Sequence, residues 1–151
     1  VDREGTCARG RAIALAALAS LFLARVLGQF LVALEAPAWL PPMDEWQSGL
    51  LPYRWLLPAQ VVVLALQAQI SVDLWHGRGA FALRRARLGG WLRGFSYLYC
   101  GVMIVRYLAT MVLVPEQRWL GDTIPIVFHL VLASYIYVWS GFHQPRQMAA
   151  A

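Results

Sequence analysis

This 151-residue chain contains no lysine and only two cysteines, and 14% of its residues are charged. Each shortage removes a class of reading. So few charges beside 60% hydrophobic residues and a mean hydropathy of +0.54 lie far from the balance of a water-soluble domain and belong in a bilayer. Cys7 lies in a charged N-terminal segment and Cys100 in an apolar run, so the pair is expected to make neither a disulfide nor a metal site. Catalytic signatures are missing too: there is no H-E-x-x-H, no G-x-S-x-G, no cysteine pair at metal spacing and no glycine-rich phosphate loop. Hydrolytic and metal chemistry are disfavoured accordingly. No repeat relates the two halves, which removes the best sequence support for an inverted-repeat transporter.

What the chain does have is apolar length. A hydrocarbon core of about 30 Å requires about 20 apolar residues as helix. Four segments meet this requirement, 12–34, 55–75, 95–114 and 123–140. They predict an all-α integral membrane protein, one domain of four transmembrane helices in an antiparallel bundle. No cleavable signal precedes the first run, which is expected to be a retained helix. Nine arginines (Arg3, Arg9, Arg11, Arg78, Arg84, Arg85, Arg87, Arg93 and Arg146) flank the spans on one side and two (Arg54 and Arg118) on the other. The positive-inside bias then puts both termini on the cytoplasmic side of a bacterial inner membrane. The net charge of +5 arises from these flanks, so no nucleic-acid partner is expected. All seven tryptophans, at 39, 46, 55, 75, 91, 119 and 139, fall at the predicted interfaces as an aromatic belt.

The linkers differ in kind. The outer loop, 35–54, belongs to the stretch EAPAWLPPMDEWQSGLLPYRWLLP, which carries five of the eight prolines and predicts a structured segment with a short interfacial helix around 43–50. Its adjacent acids Asp44 and Glu45 read as a solvated turn, or with Ser48 and Gly49 as a helix cap or docking point. The cytoplasmic loop, 76–94, sets Arg84, Arg85 and Arg87 among Phe81, Leu83, Leu88 and Trp91, a pattern for lying on anionic phospholipid or a partner. Asp122 reads as the N-cap of the last helix.

Within the spans a few residues break the apolar pattern. Ala12, Ala16, Ser20, Ala24 and Gly28 form a ladder of small residues at a spacing of four, a face for close contact with another backbone. Arg25 and Gln29 share a face of the first helix, Gln60 leads a stripe with Gln67 and Ser71 on the second, Arg106 lies near the midplane of the third, and His129 lies about 9 Å deep in the fourth. Arg25, Gln29, Gln60, Arg106 and His129 form the candidate constellation, with Tyr99, Tyr107 and Thr110 as hydrogen-bonding neighbours. A membrane arginine costs at least about 2.5 kcal/mol and must face a partner, a cavity or a ligand. No carboxylate shares this depth, since Asp73 lies near the cytoplasmic end, within reach of Arg78, Arg93 or the headgroup region. That leaves backbone carbonyls and glutamines, an anionic ligand, or a carboxylate of another subunit; Arg25 alone has the further option of snorkelling toward Glu35.

His129, with Phe128, Tyr135 and Tyr137 around it, has the chemistry to hold haem iron or a chlorophyll-type pigment. Neither His76 nor His143 offers a second ligand at its depth. His129, Gln60 and Arg25 also make a donor set for the carbonyls of a quinone, and they serve equally as interhelical glue. The expected function is a non-catalytic accessory or assembly subunit of a larger bacterial membrane complex. It would contact other membrane subunits and phospholipids through Arg106, Arg25, the small-residue face (Ala16, Ser20, Ala24, Gly28) and the loop arginines (Arg84, Arg85, Arg87), with no bound cofactor. The alternative is an electron-transfer or cofactor-binding subunit that takes haem, quinone or pigment at His129, Arg106, Arg25 and Gln60. A small transporter or lipid-modifying enzyme ranks third.

Overall fold

The computed structural model describes residues 2–46, 52–113 and 123–144. It consists of α1 (Asp2–Glu35), α2 (Met43–Trp46), α3 (Tyr53–His76), a 3-10 turn at Ala80–Ala82, α4 (Ala86–Leu113) and α5 (Thr123–His143), with no strand among the described residues. Four of these helices, α1, α3, α4 and α5, are long and apolar enough to cross a membrane. The expectations for Ser48, Gly49, Arg118, Trp119, Asp122 and Arg146 lie outside the described residues.

Backbone chemistry sets the ends. α1 stops where Ala36 turns to a φ of 42°, its N–H still bonded to Val32 O at 3.1 Å, just before the proline-rich segment that cannot continue a helix. α3 ends at Gly77, whose φ of 64° and ψ of 23° make a left-handed cap; the N–H groups of Gly77 and Arg78 both return to Asp73 O.

Two boundaries correct the sequence reading. α4 begins at Ala86 rather than 95, so the loop expected over 76–94 shrinks to a short connection around the 3-10 turn. Counting apolar residues locates the hydrocarbon-embedded part of a helix, whereas arginines with long apolar stems extend the same helix into the headgroup layer. The N-terminal segment is helical for the same reason, from Asp2 onward. The short helix expected around 43–50 is described over Met43–Trp46.

α1 packs against α3 on one side and α5 on the other, and among the described residues α4 packs against α5 alone. The main core joins Ala12 and Leu15 of α1, Ile70 and Leu74 of α3, and Tyr135 and Phe142 of α5. Phe81, from the 3-10 turn, closes this end by meeting Trp139 edge-on at 5.9 Å between ring centres. Asp73, expected to meet Arg78 or Arg93, instead accepts from Gln69 Nε2 at 2.7 Å and from the Phe81 N–H at 3.1 Å, tying the turn to α3.

The small-residue ladder of α1 divides. Ala12 is in the core, while Ala16, Ser20 and Ala24 are exposed. Gly28 makes the close contact, and its neighbour is a side chain rather than a backbone: a Cβ there would lie 2.6 Å from the indole of Trp46. Trp46 is accordingly buried, unlike the exposed Trp39, Trp55, Trp75 and Trp91 of the predicted belt.

Candidate functional site

Arg25 and Gln29 are one turn apart on α1, so both side chains project from the same face. Both are buried, and the segment that carries Trp46 folds over Arg25. Arg25 Nη2 donates to the carbonyl of Trp46 at 2.6 Å and Nη1 to Gln29 Oε1 at 3.2 Å. Gln29 Oε1 also accepts from Gln60 Nε2 of α3 at 3.0 Å. Trp46 is itself held, since its Nε1 donates to Pro41 O at 3.0 Å. Of the routes open to a membrane arginine, Arg25 takes the one through a backbone carbonyl and a glutamine. A hydrogen bond to a charged group is worth about 1.5–3 kcal/mol in water, and interhelical bonds in membranes average about 0.6 kcal/mol. Arg25 makes two such links, which offset an insertion cost of about 2.5–3.5 kcal/mol at the charged-group value and only part of it at the membrane average. Arg25 Nε, Gln29 Nε2 and Gln60 Oε1 are buried without a hydrogen-bond partner among the described residues.

Beside this network lies a chamber of about 180 Å3 between α1, α3 and α5. Arg25, Gln60 and His129 supply its polar lining, and Phe22, Leu56, Phe128 and Leu132 are among its apolar walls. A dry cavity of about 150 Å3 in another protein accepts benzene, so this one matches a single six-membered ring. A tetrapyrrole does not fit inside it. Arg25 Cζ lies 5.8 Å from the centre of the Phe128 ring, which places the cation over an aromatic wall.

His129 bridges the chamber to α4. Its Nδ1 shares a hydrogen bond with the hydroxyl of Tyr99, and the two rings meet edge-on at 5.7 Å between centres. Nε2 is therefore the ring nitrogen left for a ligand, its proton depending on which tautomer the tyrosine selects. The Arg25 guanidinium lines the same chamber, so α1 brings a positive charge beside His129. Arg106 is half-buried, and its carbonyl accepts from Thr110 Oγ1 at 3.1 Å. The structure thus brings Arg25, Gln29, Gln60 and His129 together, adds Tyr99 from the expected neighbours, and sets Arg106 at the edge.

Other sequence candidates lie elsewhere. Gln67 and Ser71 are buried below the chamber, where Tyr135 Oη and Ser71 Oγ each donate to Gln67 O at 2.8 Å. Tyr135 therefore does not surround His129, and Tyr137 faces Arg93 instead. His143 sits fourteen residues along α5 from His129, about 21 Å away. Its Nδ1 accepts the Arg85 N–H at 3.3 Å. His76 Nδ1 contacts Val72 O at 2.9 Å on an exposed surface. No second histidine reaches the chamber, and no three metal-ligating side chains converge among the described residues. Arg84 rests on the Phe142 ring at 5.2 Å, and Arg87 is exposed at the start of α4.

Sequence reasoning missed the carbonyl of Trp46 as the partner of Arg25. No side-chain type in the sequence signals that carbonyl. The chain matches no protein-family model, no curated protein and no solved structure.

Proposed function

We propose that the chain is a non-catalytic subunit of the bacterial inner membrane, an antiparallel four-helix unit with both termini cytoplasmic. In this reading it holds one ring-sized, hydrogen-bond-accepting molecule, a quinone headgroup, in the chamber between α1, α3 and α5. The supporting observation is that three polar side chains from three helices, Arg25, Gln60 and His129, meet an otherwise apolar space of about 180 Å3. Gln60 and Arg25 are already partly committed to Gln29, so they give the chamber a fixed polar wall, and His129 Nε2 is the group free to address a carbonyl. The Arg25 guanidinium in the lining favours a ligand that gains negative charge, as a quinone does on reduction.

The test is to purify the full chain in mild detergent and measure extracted quinone per chain, then titrate a short-tailed quinone. About one quinone per chain is expected, lost in both His129→Leu and the chamber-filling Ala59→Phe. Absence of binding, or binding that survives Ala59→Phe, would refute it.

A second reading, an assembly subunit, is favoured by the position of α4. Only 6% of its most apolar stretch is buried, although Arg106 lies within it. Native-size separation decides here: migration within a large complex that Arg106→Leu disrupts supports the assembly role, and migration alone removes it.

A further inference from the structure

We infer that the opposite, arginine-rich end binds one phosphate group, the phosphodiester of an anionic phospholipid, between Arg11 of α1 and Arg93 of α4. The two arginines line a pocket of about 380 Å3 floored by α5 at Ser140 and Gly141. The Arg11 guanidinium lies over Gly141 of α5, where a Cβ would stand in ordinary contact at 3.8 Å from its Cζ and Nη2. Arg93 is oriented from several directions. Its Nη1 donates to Gln144 Oε1 at 2.7 Å, and its Cζ lies 5.9 Å and 5.6 Å from the ring centres of Tyr97 and Tyr137. Two guanidiniums are thus aimed at one space, and no carboxylate lines it among the described residues. Asp73, on α3 near this end, has its oxygens engaged by Gln69 and the Phe81 N–H. Two like charges lining one pocket favour an anion there, and the planar guanidinium fork matches phosphate oxygens in pairs.

Depth and shape identify the source of that phosphate as a lipid. The 28 residues of α4 extend about 42 Å, roughly 12 Å more than the hydrocarbon core. Arg93 stands about 10 Å from its first residue, at the boundary where headgroup phosphates lie. Because α4 touches α5 and not α1, the pocket lies between two helices that have no packing contact of their own. The exposed rings of Tyr97 and Tyr137 continue from it toward the apolar parts of their helices, as an acyl chain requires. This site does not depend on the chamber near His129.

The experiment uses the full chain in neutral detergent. Native mass spectrometry would count bound phosphatidylglycerol and phosphatidylcholine for the parent, for Arg11→Gln/Arg93→Gln, for Arg11→Lys/Arg93→Lys and for Arg54→Gln at the other end. The parent should retain one phosphatidylglycerol in preference to phosphatidylcholine. The double glutamine variant should retain it about tenfold to thirtyfold less well, from about a factor of five per arginine near a headgroup. The double lysine variant should recover most of the retention, and Arg54→Gln should match the parent. Should the glutamine variant lose its helical signal, Gly141→Leu, which fills the pocket without removing charge, must reproduce the loss. Equal retention of both lipids by the parent, or undiminished retention by Gly141→Leu, overturns the proposal. Displacement of the lipid by millimolar inorganic phosphate overturns the lipid assignment and makes a soluble phosphate the ligand.

Discussion

At the α2 end of the molecule, Arg25 is buried and its two Nη atoms are bonded to Trp46 O and Gln29 Oε1. At the other end, Arg11 and Arg93 line an open pocket, held by contacts with a glycine backbone, a glutamine and two tyrosine rings. The same side chain serves two purposes because the two environments differ in what else can solvate it. A guanidinium deep in the helices has no water, so the fold must supply its acceptors, and it becomes a strut between α1, α2 and α3. One at the headgroup boundary keeps access to water and anions, so the fold can leave its binding capacity for something external. If this contrast is right, substitutions at the α2 end cost stability and those at the arginine-rich end cost binding.

The largest effect is expected from Trp46→Ala. The indole covers Gly28 and its Nε1 fixes Pro41 O, so its removal leaves a cavity over α1 and releases the segment whose carbonyl serves Arg25. Truncating a packed tryptophan costs about 3–5 kcal/mol in soluble cores, and a loss toward the lower end of that range is expected here. Unfolding of the detergent-solubilised chain by a denaturing detergent measures it. A loss near zero would mean that Trp46 merely rests on the helices and that Arg25 finds its acceptor elsewhere.

Gly28→Ala comes next. Its new methyl would stand 2.6 Å from the Trp46 ring, which must shift, at a cost of about 1–3 kcal/mol for overpacking. In combination with Trp46→Ala the substitution should cost almost nothing further, because the ring it strikes is gone. Additive losses in that double-variant cycle would show that the two residues are not coupled.

Gln29→Leu sharpens the comparison from inside the network. It removes the oxygen that accepts from both Arg25 and Gln60, leaving two donors from two helices without that partner. A destabilisation of about 1–2 kcal/mol is expected, between the usual cost of an orphaned buried donor and the smaller values measured between membrane helices. Chamber occupancy should fall with it, so quinone titration of this variant reports on the polar wall separately from His129.

Much of this geometry was legible in the sequence and some of it was not, for physical reasons. Arg25 and Gln29 are four residues apart, and helical periodicity alone puts them on one face. Gln60 and His129 could be placed at matching depth from the rise per residue. The Trp46 carbonyl was invisible because a backbone acceptor twenty-one residues away carries no signature in side-chain type. The start of α4 at Ala86 was hidden by arginines that look like a loop to a hydropathy count and behave as helix in a headgroup layer. Which helices touch could not be read at all. Apolar faces of similar composition do not encode their neighbours in lipid, and the seating of α4 on α5 depends on details such as Gly89, where a Cβ would come 2.9 Å from that of His143.

The smallest effect on stability is expected at Arg93, and it decides whether the contrast between the two ends holds. The Arg93 contacts with Tyr97 and Tyr137 involve exposed rings, and the residue is not enclosed by the helices that carry it. Its hydrogen bond to Gln144 is made at the end of α5, where the alternative partner is solvent. Replacement by glutamine removes interactions that water largely replaces, so the unfolding midpoint should match that of the parent while retention of phosphatidylglycerol falls. Arg25→Gln should behave in the opposite way, lowering the midpoint with no change in lipid retention. Were Arg93→Gln to destabilise the chain as much as Arg25→Gln, the arginine-rich end would also be a strut: its guanidiniums would be consumed in holding α4 to α5 and unavailable to a phosphate.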